Sequence, residues 1–286
     1  MSANKFPDKL IGQKLFFKRY NIDPQDFRIS RLDWNELKFV YADYNSWWIR
    51  LHPVAQFIAN TLGLEEGVHA VSYRVKNPEH LVEKIIRRSK DDRSPWATID
   101  NYRNHVKDLI GVRALHIFKE EWAAVDQSIR KHWDIKKKPV ANVRDTDPSF
   151  ITDEFALGGC TIERRSSGYR SVHYEIETKI AKRLVFIEVQ VRTLFEEAWG
   201  EASHRIQYPH MPASDMIEAF LKSMSQTAGL GDNLGSAARL LRELDDPDRS
   251  VSPRAYKLRK LRYKEITKHI SSQPSIQGEI MANLVS

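Results

Sequence analysis

From Leu32 to Leu62 the apolar and aromatic residues Leu37, Phe39, Val40, Trp47, Trp48, Leu51, Val54, Phe57 and Ile58 recur at spacings near three and four. That period predicts one long amphipathic helix, or two. Tyr73 to Val75 is a short extended piece, after which Asn77-Pro78 opens a helix through Ile86 that presents Lys84, Arg87 and Arg88. Ser94 to Asp100 is predicted as a loop, because a residue before proline avoids the helical region. Gly111 to Phe118 reads as a strand, and a helix follows from Glu120 to about His132. Lys136 to Asp153 is polar, holds two prolines and shows no period, so a mobile loop suited to a substrate lid is expected there.

Further along, strands are predicted at Thr161 to Arg165, Arg170 to Thr178 and Leu184 to Arg192, with a turn at Ser166 to Gly168. Helices then dominate, at Thr193 to Gln207, Asp215 to Thr227 and Leu234 to Leu244. A last one, Arg254 to Lys268, carries seven basic residues against one acid and is expected to be a solvated basic helix. The sum is an α/β (α+β) fold with a mixed sheet of about five strands flanked by helices. Three segments are expected: a helical N-terminal extension over 1–70, a catalytic unit over 71–208, and a helical C-terminal extension with a basic tail over 209–286.

The two-residue period of a strand sorts the side chains of the last two strands onto opposite faces. Glu188, Gln190 and Arg192 fall on one face, with Ile187, Val189 and Val191 on the other. In the preceding strand Ser171, His173 and Glu175 oppose Val172, Tyr174 and Ile176. Were the strands neighbours, their polar faces would merge into one surface richer in chemistry than a solvated sheet face needs. Upstream, Arg74 and Lys76 share a face, and Asp108 sits just before a strand. Phosphoryl-type transfer needs this combination: cations to hold a polyphosphate, carboxylates to hold magnesium, and a group to orient the attacking hydroxyl. Asp108 and Glu188 are the natural pair for Mg2+.

Composition narrows the setting. The chain has 286 residues, is 41% hydrophobic and carries a formal net charge of +7, a field that draws phosphates. One cysteine, Cys160, excludes an intrachain disulfide framework and favours a reducing, cytoplasmic setting. No uncharged apolar run approaches the roughly 20 residues that span a bilayer, so no membrane partner is expected.

The ordered blocks Tyr73-Arg-x-Lys76, Asp108-Leu-Ile-Gly-Val-Arg113, Ser167-Gly-Tyr-Arg-Ser-Val-His173, Glu188-Val-Gln-Val-Arg-Thr193 and Glu197-Ala-Trp-Gly-Glu-Ala-Ser-His204 resemble the synthetase domain of the RelA/SpoT family. The resemblance implies a nucleotidyltransferase-like fold and pyrophosphate transfer from ATP to the ribose 3′-hydroxyl of GDP or GTP, giving (p)ppGpp. It implies that Arg74 contacts the adenine and that Lys76, Lys84 and Arg113 neutralise ATP phosphates. Asp108 would hold magnesium, and Glu188 would share the metal or polarise the 3′-hydroxyl. Tyr169 would stack on the acceptor base, with His173, Gln190 and Arg192 completing the acceptor wall.

Two positions depart from the family pattern. Glu163-Arg-Arg-Ser-Ser167 stands where many members have a Pro-Lys-x-Asn type sequence, and His80 stands where a serine is usual. Arg164 and Arg165 would then replace a lysine that grips the acceptor phosphates. None of the ten histidines is followed by Asp, so the His-Asp hydrolase domain of long members is absent and a synthetase-only member is expected. The alternatives are a toxic relative that modifies the tRNA 3′-CCA end or an adenine nucleotide, and an idle nucleotide- or RNA-binding member. A homo-oligomer and an antitoxin partner stay open. His204, Glu197 and Glu201 share a helical face for which internal pairing is expected rather than a metal site, and Trp199 is assigned to the core.

Overall fold

The structure, a computed structural model, describes residues 6–135, 137–145, 147, 149–180, 183–207, 214–245 and 252–272. Its helices are α1 (Gln13–Tyr20), α2 (Pro24–Ile29), α3 (Trp34–Gly63), α4 (Pro78–Asp92), α5 (Tyr102–His105), α6 (Trp122–His132), α7 (Ser149–Leu157), α8 (Leu194–Gln207), α9 (Asp215–Asp245) and α10 (Pro253–Ser272). The strands are β1 (Ala70–Val75), β2 (Ile110–His116), β3 (Val140–Arg144), β4 (Thr161–Arg165), β5 (Ser171–Ile180) and β6 (Arg183–Thr193). They form one sheet in the order β1-β2-β6-β5-β3-β4. β2 runs parallel to β6 and β3 to β4, while the other pairings are antiparallel, so the sheet is mixed.

Side-chain alternation makes this sheet two-faced. Ile110, Val112, Ile187, Val189 and Tyr174 lie on one side and are all but inaccessible to water. The long helix α3 covers that side together with α4 and α6. Asp33 caps α3 by accepting from the Asn35 amide at 2.9 Å. Asn77 does the same for α4 through the Glu79 amide, with Pro78 in the first turn. Because Leu81, Val82, Ile85 and Ile86 are the buried face of α4, Lys84 and Arg87 are left pointing along its open side.

Helix α3 also fixes the ends of the two segments that carry charge to the site. The Tyr44 hydroxyl donates to the Lys76 carbonyl at 2.8 Å and lies 3.4 Å from that of Leu109, and Trp48 Nε1 donates to the Lys76 carbonyl at 3.1 Å. Lys76 and Asp108 are thereby positioned by groups in the core rather than by loops.

Three expectations change. The segment 136–153 is not a structureless lid. β3 lies inside the sheet between β5 and β4, and α7 follows it. Its apolar residues Ala141 and Val143 are buried, but a five-residue strand flanked by lysines and charges is too short to show a period. The sheet accordingly has six strands where about five were expected. The two helices predicted across 215–244 are one, α9. Gly229, Gly231 and Gly235 look like a break, yet Gly229 is there for packing: a Cβ at that position would lie 2.9 Å from Arg144 Nη1. Trp199 is buried as expected, Cys160 is buried too, and no described helix is long and apolar enough to cross a membrane.

Replacing Tyr44 by Phe should lower unfolding free energy by about 1 kcal/mol, the usual net value of one buried hydrogen bond. Urea titration measures this, and an unchanged midpoint would detach α3 from the positioning of Lys76 and Asp108.

Candidate active site

The register places the polar side chains in rows across the sheet. Arg74 faces Gly111, which faces Glu188, which faces Glu175. One step along, Ser72, Arg113, Gln190 and His173 are aligned. Arg192 on β6 and Ser171 on β5 continue the same face, two residues beyond Gln190 and two before His173. The merged polar surface expected from the two strand patterns is therefore present, and β2 extends it.

At one end lies Asp108. Its two carboxylate oxygens take Lys76 Nζ at 2.8 Å and Lys84 Nζ at 2.7 Å. Burial pushes this carboxyl upward, but the two ammonium groups outweigh burial and hold it at about 2. Lys76 itself is lowered, first by burial and then by Lys84 and Arg74, and its pairing with Asp108 does not offset them. The group carries net positive charge and is suited to an anion. It opens into a cleft of about 480 Å³ lined by Arg74, Lys76, Lys84, Arg87, Asp108 and His204, among others.

Glu188 lies at the centre of β6. Gln190 Nε2 donates to its Oε2 at 2.6 Å, and His173 Nδ1 stands 3.5 Å from its Oε1. Burial raises the Glu188 carboxyl, the His173 and Gln190 contacts lower it, and the balance falls below the ordinary glutamate value. Asp108 acts on it weakly in the raising direction. His173 Nε2 meets the Tyr169 hydroxyl at 2.8 Å. With a proton on Nδ1, the imidazole donates to Glu188 and accepts from the Tyr169 hydroxyl. The Tyr169 ring is half-buried and lines a second cleft of about 830 Å³, together with Ser166, Ser167, Trp199, Glu218 and Lys222.

The chain of contacts continues. Arg192 Nη2 donates to Gln190 Oε1 at 3.3 Å, and Arg192 Nε pairs with Glu197 Oε2 at 2.7 Å. Arg113 pairs with Glu197 at 2.9 Å and with Glu201. The acidic face of α8 thus pairs with arginines of the sheet. Arg113, expected at ATP phosphates, is engaged by two carboxylates. Arg164 sits in register with Val143 on the opposite face of the sheet and donates to the backbone carbonyls of Arg144 and Asp145. Arg165 is on the polar face of the edge strand β4, where it holds Asn142 and Glu163. The structure does not bring Arg164 into the cluster around Glu188. Among the described residues, no group of three or more His, Cys, Asp or Glu forms a ready metal cage.

A buried ion network under the Tyr169 turn lay outside the sequence reading. Arg144 pairs with Glu196 and donates from Nε to Ser225 Oγ at 2.9 Å; Ser225 Oγ donates to the Gly168 carbonyl, also at 2.9 Å. Arg170 pairs with Asp147 at 3.4 Å. Gly168 has φ +80°, and a Cβ there would meet Ser225 Oγ at 2.4 Å, so only glycine allows both the turn and this close approach. The only signal for the network was the density of charge around Arg144, Asp147 and Arg170. Burial that is balanced by opposite charge cannot be read from one chain.

Residues 73–212 match the family described as "Region found in RelA / SpoT proteins". The chain is similar to GTP pyrophosphokinase YwaC of Bacillus subtilis (strain 168), 25% identical over 197 residues spanning 64% of this chain and 82% of that one. It is also similar to GTP pyrophosphokinase YjbM of the same organism, 26% identical over 147 residues spanning 50% of this chain and 58% of that one. Its fold is like the crystal structure of small alarmone synthetase 1 from Bacillus subtilis, with a TM-score of 0.51 at 19% identity over 70% of this chain and 94% of that one.

Asp108→Asn would leave Lys76 and Lys84 without their counter-charge. Stability should fall by about 2–3 kcal/mol, somewhat below the loss for a wholly buried pair because water reaches these side chains. In chelator, inorganic tripolyphosphate should raise the melting temperature of the variant more than that of the parent. Equal shifts would contradict an anion site at these lysines.

Proposed function

We propose that this chain, which belongs to the RelA/SpoT family through residues 73–212, is a GTP pyrophosphokinase: it transfers the β,γ-pyrophosphate of ATP to the 3′-hydroxyl of GDP or GTP. The observation that carries this is the position of Glu188. It stands in the row Arg74, Gly111, Glu188, whose Arg74 lines the cationic cleft with Asp108, and it is joined through His173 to Tyr169 in the other cleft.

ATP would lie in the cleft of Arg74, Lys76, Lys84 and Arg87, its phosphates drawing the two lysine ammonium groups away from Asp108. The acceptor base would stack on Tyr169, which sets its ribose toward Glu188. The 3′-hydroxyl donates a hydrogen bond to the Glu188 carboxylate, which His173 and Gln190 hold in place. The O3′–Pβ bond then forms as the bond from Pβ to the α,β-bridging oxygen breaks. AMP leaves with that oxygen, and the hydroxyl proton passes to Glu188 and on to water. Because Glu188 is held below its ordinary value, it is a weak base. Its main contribution is orientation, which suits a loose phosphoryl-type transition state that needs little help from a base.

Asp108 and Glu188, both ionised and both hard oxygen donors, fit Mg2+, which would take its remaining ligands from the triphosphate and water. When bound, the ion supplies charge neutralisation along the triphosphate. The segments 1–70 and 209–286 act as extensions of the catalytic unit 71–208. The second extension is not passive, since Glu218 and Lys222 of α9 line the Tyr169 cleft. An RNA 3′ end is a second acceptor reading, favoured by the exposed Arg254, Lys257, Lys260, Lys264 and Lys268 on α10.

Incubation with γ-labelled ATP and GDP, GTP, ATP or deacylated tRNA separates these readings. Label should move to the guanine nucleotides; label on tRNA alone would select the second reading, and no labelled product would refute an enzyme. Glu188→Gln should reduce turnover by roughly 100- to 1,000-fold with an unchanged melting curve. Tyr169→Ala should raise the acceptor KM by roughly 5- to 100-fold, as expected for the loss of one base–aromatic stack, while moving the ATP KM little. Equal losses for both substrates would remove Tyr169 from the acceptor site.

A further inference from the structure

The cleft beside Tyr169 is lined by polar side chains of two kinds. The hydroxyls of Ser166, Ser167 and Ser203 and the amide of Gln207 each donate or accept, turning to suit whatever faces them. The charged groups have fixed polarity, and all of them come from the first turns of α9: the carboxylates of Asp215 and Glu218 only accept, and the Lys222 ammonium only donates. Positions 215, 218 and 222 advance by three and four, so they share one face of the helix, with about 6 Å of rise from Glu218 to Lys222. A glutamate followed four residues later by a lysine is spaced to pair. Yet among the described residues neither the Glu218 nor the Lys222 side chain takes part in a hydrogen bond or ion pair. Glu188, Glu197 and Glu201 are, by contrast, all engaged by groups of the sheet. Glu218 and Lys222 are exposed, and neither holds the fold together.

We propose that Glu218 and Lys222 read the acceptor base and select guanine over adenine. Their role rests on the reading of the Tyr169 cleft as the acceptor site. Along one edge guanine offers two donors, its 2-amino group and N1–H, followed by the O6 acceptor; adenine offers the N1 acceptor followed by the 6-amino donor. A base stacked on Tyr169 with that edge toward α9 meets a carboxylate and then an ammonium. Guanine fits this order: the 2-amino group and N1–H donate to Glu218, and Lys222 donates to O6. Adenine in the same place would set the N1 lone pair against a carboxylate and an amino group against an ammonium. Two repulsive contacts would replace two attractive ones, so rejection of the wrong base adds to attraction of the right one. Asp215, one turn before Glu218, adds negative charge beside the guanine donors. Because neither Glu218 nor Lys222 is engaged beforehand, no ion pair breaks when the base enters. Base selection thereby falls to α9, while Glu188 and His173 of the sheet serve the ribose.

Displacement of GDP that is fluorescently labelled on its β-phosphate, by unlabelled GDP, IDP or ADP, tests this without turnover. The parent should bind GDP roughly 10- to 100-fold more tightly than ADP, with IDP between them because it lacks only the 2-amino group. Glu218→Gln should weaken GDP by roughly 5- to 100-fold and IDP by less, with ADP unchanged or tighter. Lys222→Met should weaken GDP and IDP by a similar factor, since both carry O6, and spare ADP. A merely structural role would lower all three nucleotides together. Equal losses for the three, unchanged ratios among them, or a parent that binds ADP as tightly as GDP would overturn the proposal. Tyr169→Ala separates this failure from that of the acceptor-site reading. If the labelled GDP binds Tyr169→Ala as tightly as the parent, it lies elsewhere and both readings fall. If Tyr169→Ala loses it while Glu218→Gln and Lys222→Met keep the parent's preferences, only the base-selecting role is removed.

Discussion

Side-chain alternation along β6 is the constraint from which the rest of this structure follows. Val189, Ile187 and Val191 are at most 1% exposed and form the centre of the core, and the residues between them are Glu188, Gln190 and Arg192. A slip of one residue in register would exchange the two sets and bury a glutamate, an amide and a guanidinium in hydrocarbon. The hydrophobic effect therefore holds the chemistry in place: the free energy that drives Ile187 and Val189 inward is what turns Glu188 toward the clefts. The neighbouring strands extend this effect. β2 contributes Arg113 to the row of Gln190, and β5 contributes His173 to the same row.

Electrostatics then separates two kinds of charge. Arg144, Arg170, Asp147 and Glu196 are deeply buried and mutually paired, and their work is to hold the Tyr169 turn and α9 against the sheet. Each group there has a partner of opposite sign, as burial of charge demands. At Asp108 the balance is unequal, one carboxylate for two lysines with Arg74 nearby. Lys76 remains below its ordinary value chiefly because it is buried, with Lys84 and Arg74 adding to the effect, and a polyanion entering the cleft would supply further counter-charge. The first group is a closed structural network; the second is open to a ligand.

Much of this was legible in the sequence. The polar faces of β5 and β6 follow from alternation alone, and Asn77-Pro78 marked the start of α4 that carries Lys84. Four of the six strands were read at or near their bounds, and α3 was one of the two readings of its pattern. β3 was missed because five residues between two charged stretches carry too little periodicity, and its buried Asn142 and Arg144 read as loop polarity. α9 was divided because a single chain cannot show that Gly229 makes room for the Arg144 guanidinium. Arg164 and Arg165 are adjacent, so they necessarily lie on opposite faces of β4. Only Arg165 shares the polar face, and a motif read as a string of cations conceals that difference.

The same helix that was misread connects the two halves of the functional proposal. On its inner face, Ser225 bonds to the carbonyl of Gly168, next to the tyrosine that would hold the acceptor, while Glu218 and Lys222 border that cleft. Its buried apolar side chains are few, Leu221, Ala228, Ala237 and Leu240, and the last two pack against Ile266 of α10. Toward the sheet, hydrogen bonds and ion pairs carry most of its attachment, so the turn that would serve the acceptor is held chiefly by polar contacts.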